Sequence, residues 1–140
     1  MKIFLKNEDE LNDVIDFVKS LFKSKSRIIL LKGDLASGKT TFVQKFVESL
    51  GNFEPVTSPT FSVMQTYGDE IFHYDIYNKG VGDFLALGLG ENLDVDGYHF
   101  IEWADEAMER MLKEFLFEFV TIYITPKGDI REYKVENCIN

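Results

Sequence analysis

The run Gly33-Asp34-Leu35-Ala36-Ser37-Gly38-Lys39-Thr40 matches the pattern G-x-x-x-x-G-K-[ST] completely, and the chemistry that pattern serves is the holding of nucleotide phosphates. Gly33 and Gly38 let the backbone curl so that successive N–H groups and a helix N-terminus point at phosphate oxygens. Lys39 then reaches the β and γ phosphates, and the Thr40 hydroxyl ligates Mg²⁺. The alternative is an ordinary turn carrying a surface lysine. Against it stand a strand before the loop and a helix after it, both identified from apolar spacing without using the glycines.

A magnesium nucleotide also needs a carboxylate at the mouth of a neighbouring strand, because Mg²⁺ prefers an octahedral shell of oxygens that includes several waters. Two candidates fit: Asp75 follows Ile71-Phe72-His73-Tyr74, and Glu102 follows Tyr98-His99-Phe100-Ile101. Trp103, next in the chain, is either core packing or a residue that senses the nucleotide or a partner. His73 and His99 have no cysteine or second histidine at ligand spacing, so both are expected as packed or partly exposed imidazoles. Asn78-Lys79 begins like the guanine-reading N-K-x-D element, but Val81 stands where the aspartate is required. Adenine is therefore the expected base, with the Asn7 and Glu8 segment or the Pro126–Asp129 turn as open candidates for the edge of its site.

The elements that position these residues follow from periodicity. Leu11, Val14, Ile15, Val18, Leu21 and Phe22 share one helical face, which predicts a helix over 7–23 with Asn7 and Glu10 as a capping box. Arg27–Lys32 is a short apolar run before a glycine and predicts a buried strand. Phe42, Val43, Phe46, Val47 and Leu50 predict a helix from Gly38 to Leu50, ended by Gly51. Pro55 and Pro59 make 54–60 an extended loop. Strands are expected at 61–67 and 70–77 around a Gly68-Asp69 turn. The glycine-rich stretch 78–93 carries a short helix at 83–87. A strand at 98–102, a helix at 104–118, a strand at 119–125, a turn at 126–129 and a final edge strand at 130–136 complete the chain. The predicted fold class is α/β, a P-loop NTPase-like three-layer fold with a mixed central sheet, parallel around the phosphate loop and antiparallel toward the hairpins.

Length and composition agree with one such domain. The chain has 140 residues, 45% hydrophobic and 14% aromatic, and a compact chain of this mass buries about two thirds of its unfolded surface. That composition excludes a disordered chain, and no apolar run approaches the ~18 residues of a membrane span. One cysteine, Cys138, leaves no internal disulfide and no cysteine metal cluster, which fits a reducing, cytoplasmic setting. The first ten residues, MKIFLKNEDE, lack the long apolar core of a secretory signal. A net charge of −9 with only three arginines, Arg27, Arg110 and Arg131, argues against an autonomous grip on nucleic acid and is compatible with a basic protein partner.

Beyond the phosphate loop, GDLASGKTTF is followed in order by VTSPTF at 56–61, HYDIY at 73–77 and IEW at 101–103. This ordered set resembles the TsaE family of bacterial P-loop ATPases, formerly called YjeE, over residues 5–135. The resemblance implies a part in making threonylcarbamoyladenosine on transfer RNAs that read codons beginning with A. It implies action with TsaD and TsaB, contact with tRNA only through that complex and no membrane, and ATP hydrolysis that resets the assembly between cycles. Residue by residue, it implies that Leu35, Ala36, Ser37, Gly38, Lys39, Thr40 and Thr41 hold the phosphates of ATP. Thr40 and Glu102 would hold Mg²⁺, Asp75 would be the second acidic group, Thr60 a switch residue, and Trp103 its neighbour. Lys39, Asp75 and Glu102 are the catalytic candidates, with either carboxylate able to orient the attacking water. Two departures stand out: Ala36-Ser37 replaces the usual Gly-Ala, and Asn78 replaces an arginine.

Two rivals share the phosphate loop. A small-molecule kinase clamps its phosphates with several lid arginines, and three unclustered arginines argue against it. A non-hydrolysing ATP-binding regulator differs only in its output. With no arginine evident as a finger, intrinsic turnover is expected to be slow and partner-dependent.

Overall fold

A computed structural model describes residues 1–34, 37–57, 63–77 and 80–139. The strands are β1 (Lys2–Lys6), β2 (Ser26–Lys32), β3 (Met64–Tyr67), β4 (Ile71–Asp75), β5 (Gly97–Glu102), β6 (Phe119–Lys127) and β7 (Ile130–Asn137). The helices are α1 (Asn12–Leu21), α2 (Lys39–Ser49), α3 (Val81–Ala86), α4 (Leu89–Asn92) and α5 (Glu106–Glu114). All seven strands form one sheet in the order β1-β7-β6-β2-β5-β4-β3. β2 runs parallel to β5 and β6, and β4 parallel to β5, while β3–β4, β6–β7 and β1–β7 are antiparallel. The mixed sheet is the predicted one.

β2 is central because it is apolar on both faces. Ile28, Ile29, Leu30 and Leu31 are all fully buried. Ile29 and Leu31 join Val14, Ile15 and Val18 of α1 and Phe42, Val43, Phe46 and Val47 of α2 in one core. Ile28 and Leu30 join Phe84 of α3, Leu89 of α4 and Met108, Met111 and Leu112 of α5 in the other. These are the three layers, and each large side chain so buried contributes about 1.5–3 kcal/mol. Among the described residues no helix is long and apolar enough to cross a membrane.

Several expectations change, among them the 126–129 turn, which shortens to Gly128-Asp129 because Lys127 pairs with Ile130. The N-terminal residues form β1, so β7 is an inner strand and β1 takes the edge. β1 is short and has a lysine at each end, which blunts an edge, while Phe4 turns inward onto Phe17 at 5.7 Å between ring centroids. The capping box does not form: the Glu10 N–H donates to the Asn7 carbonyl in a turn, and α1 starts later, at Asn12, without a side-chain cap. α5 stops at Glu114 because Leu116 enters the left-handed region at φ 60°. The β3–β4 turn uses three residues, since Tyr67 pairs with Ile71, and the strands 61–67 and 70–77 shorten to β3 and β4. Residues 61 and 62 lie outside the described residues. The glycine-rich stretch holds α4 as well as α3.

Candidate active site

The phosphate loop leaves the C-terminal end of β2 and runs into α2, the place a parallel sheet reserves for ligands. At Gly33 a side chain is impossible: a Cβ would lie 2.5 Å from the Ser37 Oγ and 2.7 Å from the Ile124 carbonyl oxygen. Gly38 precedes α2 at φ 108°, a left-handed conformation that L side chains avoid. The loop is closed internally by the Ser37 N–H donating to the Asp34 carbonyl at 3.1 Å.

Lys39 opens α2 and is 6% exposed. Its ammonium donates to the Gly33 carbonyl at 2.6 Å and the Asp34 carbonyl at 3.1 Å, and lies 4.1 Å from the centre of the Trp103 ring. Burial pushes its pKa down, opposed by the charges of Glu102, Asp75 and Asp34. The lysine is thus held at the loop by neutral carbonyls and a ring face, with its positive charge uncancelled at contact distance by any of these.

Asp75 ends β4 and Glu102 ends β5, and the two are register partners on adjacent parallel strands. Their carboxylates therefore leave the same face of the sheet side by side. Glu102 is 2% exposed, and its Oε2 bonds the Nε2 of His73, which is fully buried. Asp75 accepts the Tyr77 N–H at 3.0 Å. Burial pushes the Asp75 carboxyl above its ordinary range, and the neighbouring Glu102 adds to that push. Trp103 has φ 67° and meets the Tyr77 ring edge-on at 4.9 Å. A non-glycine residue in that region is strained, and such strain gathers where a side chain must be aimed.

An open cavity of about 450 Å³ brings these groups together, within the range of small-ligand sites. Gly38, Lys39, Thr40, Thr41, Asp75, Glu102 and Trp103 of the predicted set line it, as does Tyr77. Gly33 and the buried Ser37 lie behind it as parts of the loop. Leu35, Ala36, Thr60 and Asn78 lie outside the described residues.

Two participants, His73 and Arg131, escape the sequence, while Glu8 belongs to one of the two segments left open for the edge of the site. His73 was expected to be packed, and it is, but its partner is the site carboxylate; the signal was the His-x-Asp spacing, which puts His73 and Asp75 on one face of β4. His99, by contrast, is an ordinary core histidine: its Nε2 donates to the Val95 carbonyl at 2.7 Å and its Nδ1 accepts from the Tyr74 hydroxyl at 2.8 Å. Arg131 and Glu8 complete the cavity wall. The Arg131 Nε donates to the Ser37 carbonyl at 2.8 Å, and its guanidinium pairs with Glu8. The three arginines of the chain are unclustered, yet one of them reaches the phosphate loop from β7. No local spacing reveals a contact between residues so far apart in sequence.

The family described as "Threonylcarbamoyl adenosine biosynthesis protein TsaE" matches residues 5–133. The "tRNA threonylcarbamoyladenosine biosynthesis protein TsaE" of Bacillus subtilis is 36% identical over 98 residues, covering 68% of this chain and 61% of that protein. The chain thus spans about three fifths of that relative's length. The protein of the same name from Borreliella burgdorferi is 32% identical over 126 residues, covering 85% of this chain and 90% of that one. The crystal structure of Bacillus subtilis YdiB superposes with a TM-score of 0.65 at 27% identity, over 97% of this chain and 84% of that one. With the phosphate loop, the paired carboxylates and this match over most of its length, the chain belongs to the TsaE family.

Proposed function

We propose that the protein is an Mg²⁺-dependent ATPase of cytoplasmic tRNA threonylcarbamoyladenosine modification, working with TsaD and TsaB and meeting tRNA only through them. The observation that carries this reading is the Lys39 ammonium, held between loop carbonyls and Trp103, facing two carboxylates paired in register. In it, the loop from Leu35 to Thr41 holds the phosphates, and Thr40 with Glu102 holds Mg²⁺. Among the described residues there is no cluster of three or more His, Cys, Asp or Glu able to cage a metal. That suits Mg²⁺, which takes one or two protein oxygens and completes its shell with phosphates and water. Held there by Thr40 and Glu102, the ion would supply charge neutralisation at the phosphates.

The protein's own residues then have separate tasks. Lys39 neutralises phosphate charge, His73 fixes the rotation of Glu102, and Asp75 or Glu102 orients the attacking water. Trp103 covers the lysine and limits water at the phosphates. Arg131 is tied to Glu8 and to the loop carbonyl on the side away from these carboxylates, which supports slow turnover by the protein alone.

The test is Mg²⁺-dependent phosphate release from ATP, by the protein alone and with TsaB and TsaD, with Lys39→Ala as the blank. Stimulation by the pair and loss of binding in the variant are expected. A Lys39→Ala protein that hydrolyses ATP at an undiminished rate overturns the site. Bound ATP without turnover in either condition points instead to a regulator whose output is complex formation.

A further inference from the structure

The end of the sheet away from the phosphate loop carries a groove that nucleotide binding does not use. β5 begins at Gly97 and β6 at Phe119, in register with Ser26 and Ile28 near the start of β2, whereas the loop leaves the other end of β2. The segments that lead into β5 and β6 meet there, α3 and α4 on one side and the end of α5 on the other. Between them lies a cavity of about 380 Å³ walled by Leu85, Glu91, Asp94, Met111, Phe115 and Phe117.

Much of this apolar wall is open to water. Leu85 is 45% and Phe115 64% exposed, and Leu116, between Phe115 and Phe117 in the chain, is 86% exposed. Single exposed apolar residues are ordinary, but several converging on one groove mark a surface that another molecule covers. Leu116 adds an independent sign. It holds φ 60° at the turn that ends α5, where glycine or asparagine is the usual residue. The backbone alone closes that turn, the Leu116 N–H donating to the Lys113 carbonyl at 3.1 Å and the Phe117 N–H to the Leu112 carbonyl at 2.9 Å. Folding therefore gains nothing from a leucine at this position, and the side chain is accounted for by a contact made from outside.

Charge decides what fits the groove. Glu91 and Asp94 line it and are exposed, no basic side chain lines it, and the chain carries a net −9. A second copy of this chain would bring the same carboxylates and the same net charge against it, and an anionic lipid surface would be repelled in the same way. A helix with an apolar stripe flanked by lysine or arginine matches both features: the stripe fills the groove and the cations meet the two carboxylates.

We propose that the groove between α3–α4 and the end of α5 is a docking site for a basic amphipathic helix of a partner protein. Leu85, Phe115 and Leu116 are its apolar anchors, and Glu91 and Asp94 its charge contacts. Because the groove and the phosphate loop lie at opposite ends of β2, a partner seated there leaves the nucleotide cavity open. The inference stands apart from the ATPase reading and does not fall with it.

The test measures binding of the full chain to a labelled synthetic helix of about five turns, with leucines on one face and lysines beside them. The controls are a peptide of the same composition in scrambled order and one with glutamate for lysine. The wild type is expected to bind the first peptide about tenfold tighter or more than either control, equally with and without Mg²⁺-ATP. Phe115→Ser is expected to weaken that binding about tenfold. Leu116→Gly is expected to weaken it without lowering the urea midpoint, since glycine suits the left-handed turn, and this separates a binding role from a folding role. Glu91→Gln combined with Asp94→Asn is expected to weaken it and to flatten its dependence on salt. Absence of binding, failure to distinguish the scrambled peptide, displacement by Mg²⁺-ATP, or affinity unchanged in Phe115→Ser and Leu116→Gly overturns the inference. Self-association of the wild type that is lost in Phe115→Ser overturns it in favour of a second copy. Binding to phosphatidylglycerol vesicles that is lost in the same variant overturns it in favour of a membrane.

Discussion

The two flanks of the phosphate loop are built on opposite principles. On the β4–β5 side, the His73 and Glu102 side chains are 0% and 3% exposed and bonded to each other. On the β7–β1 side, Arg131 and Glu8 form an ion pair that water reaches. A buried carboxylate cannot reorient into solvent, so its direction is set before any ligand arrives, and charge there acts through a low dielectric. A half-buried pair costs less to desolvate than a sealed one and exchanges more readily for other partners. The difference separates a flank fitted for placing charge on reacting phosphates from one fitted for reversible recognition.

If that contrast holds, the largest effects of substitution come from the buried flank. Glu102→Gln keeps the size and the bond to His73 but removes the charge; phosphate release from ATP is expected to fall about 10²- to 10³-fold, with tripolyphosphate still bound. An unchanged rate would transfer the role to Asp75. His73→Phe removes the buried partner of the Glu102 carboxylate and is expected to cost about 3 kcal/mol of stability, visible as a lower urea midpoint. A stability change near zero would mean that the carboxylate is free to find water.

Smaller effects sharpen the contrast. The Asp75 carboxyl sits above its ordinary value of 3.8 mainly through burial, so the native state binds that proton more tightly than the unfolded chain does. Its contribution is fully present below 3.8 and is lost as the pH rises through the raised value. Asp75→Asn is therefore expected to gain stability over wild type as the pH rises from 4 toward 7, by no more than about 1 kcal/mol after solvent screening. Urea midpoints across that range measure it, and a difference that does not grow with pH contradicts the assignment. On the open flank, Glu8→Gln is expected to change folding stability by less than about 0.5 kcal/mol, read from the same midpoints. A loss near that of His73→Phe would show that both flanks are structural.

Much of this architecture was visible in advance because it is written locally. The four-residue apolar centre of β2 and the spacing of Phe42, Val43, Phe46 and Val47 announce a buried strand and an amphipathic helix, and the glycines between them announce the loop. Asp75 and Glu102 were legible because each ends an apolar run. β1 was not: five residues bracketed by lysines carry little hydrophobic pattern, and their partner β7 lies at the far end of the chain. The end of α5 was misplaced because Phe115 and Phe117 continue the apolar content while Leu116 turns the backbone away from the helix.

By itself, then, the sequence determined the phosphate loop, the class of fold, and the carboxylates at the strand mouths, since strand and helix periods and glycine conformations are local properties. Only the tertiary structure decided that His73 bonds Glu102 and that Arg131 joins the loop to Glu8. Those contacts depend on which strands become neighbours in the sheet, and strand order is set by packing of the whole chain rather than by any short window of residues.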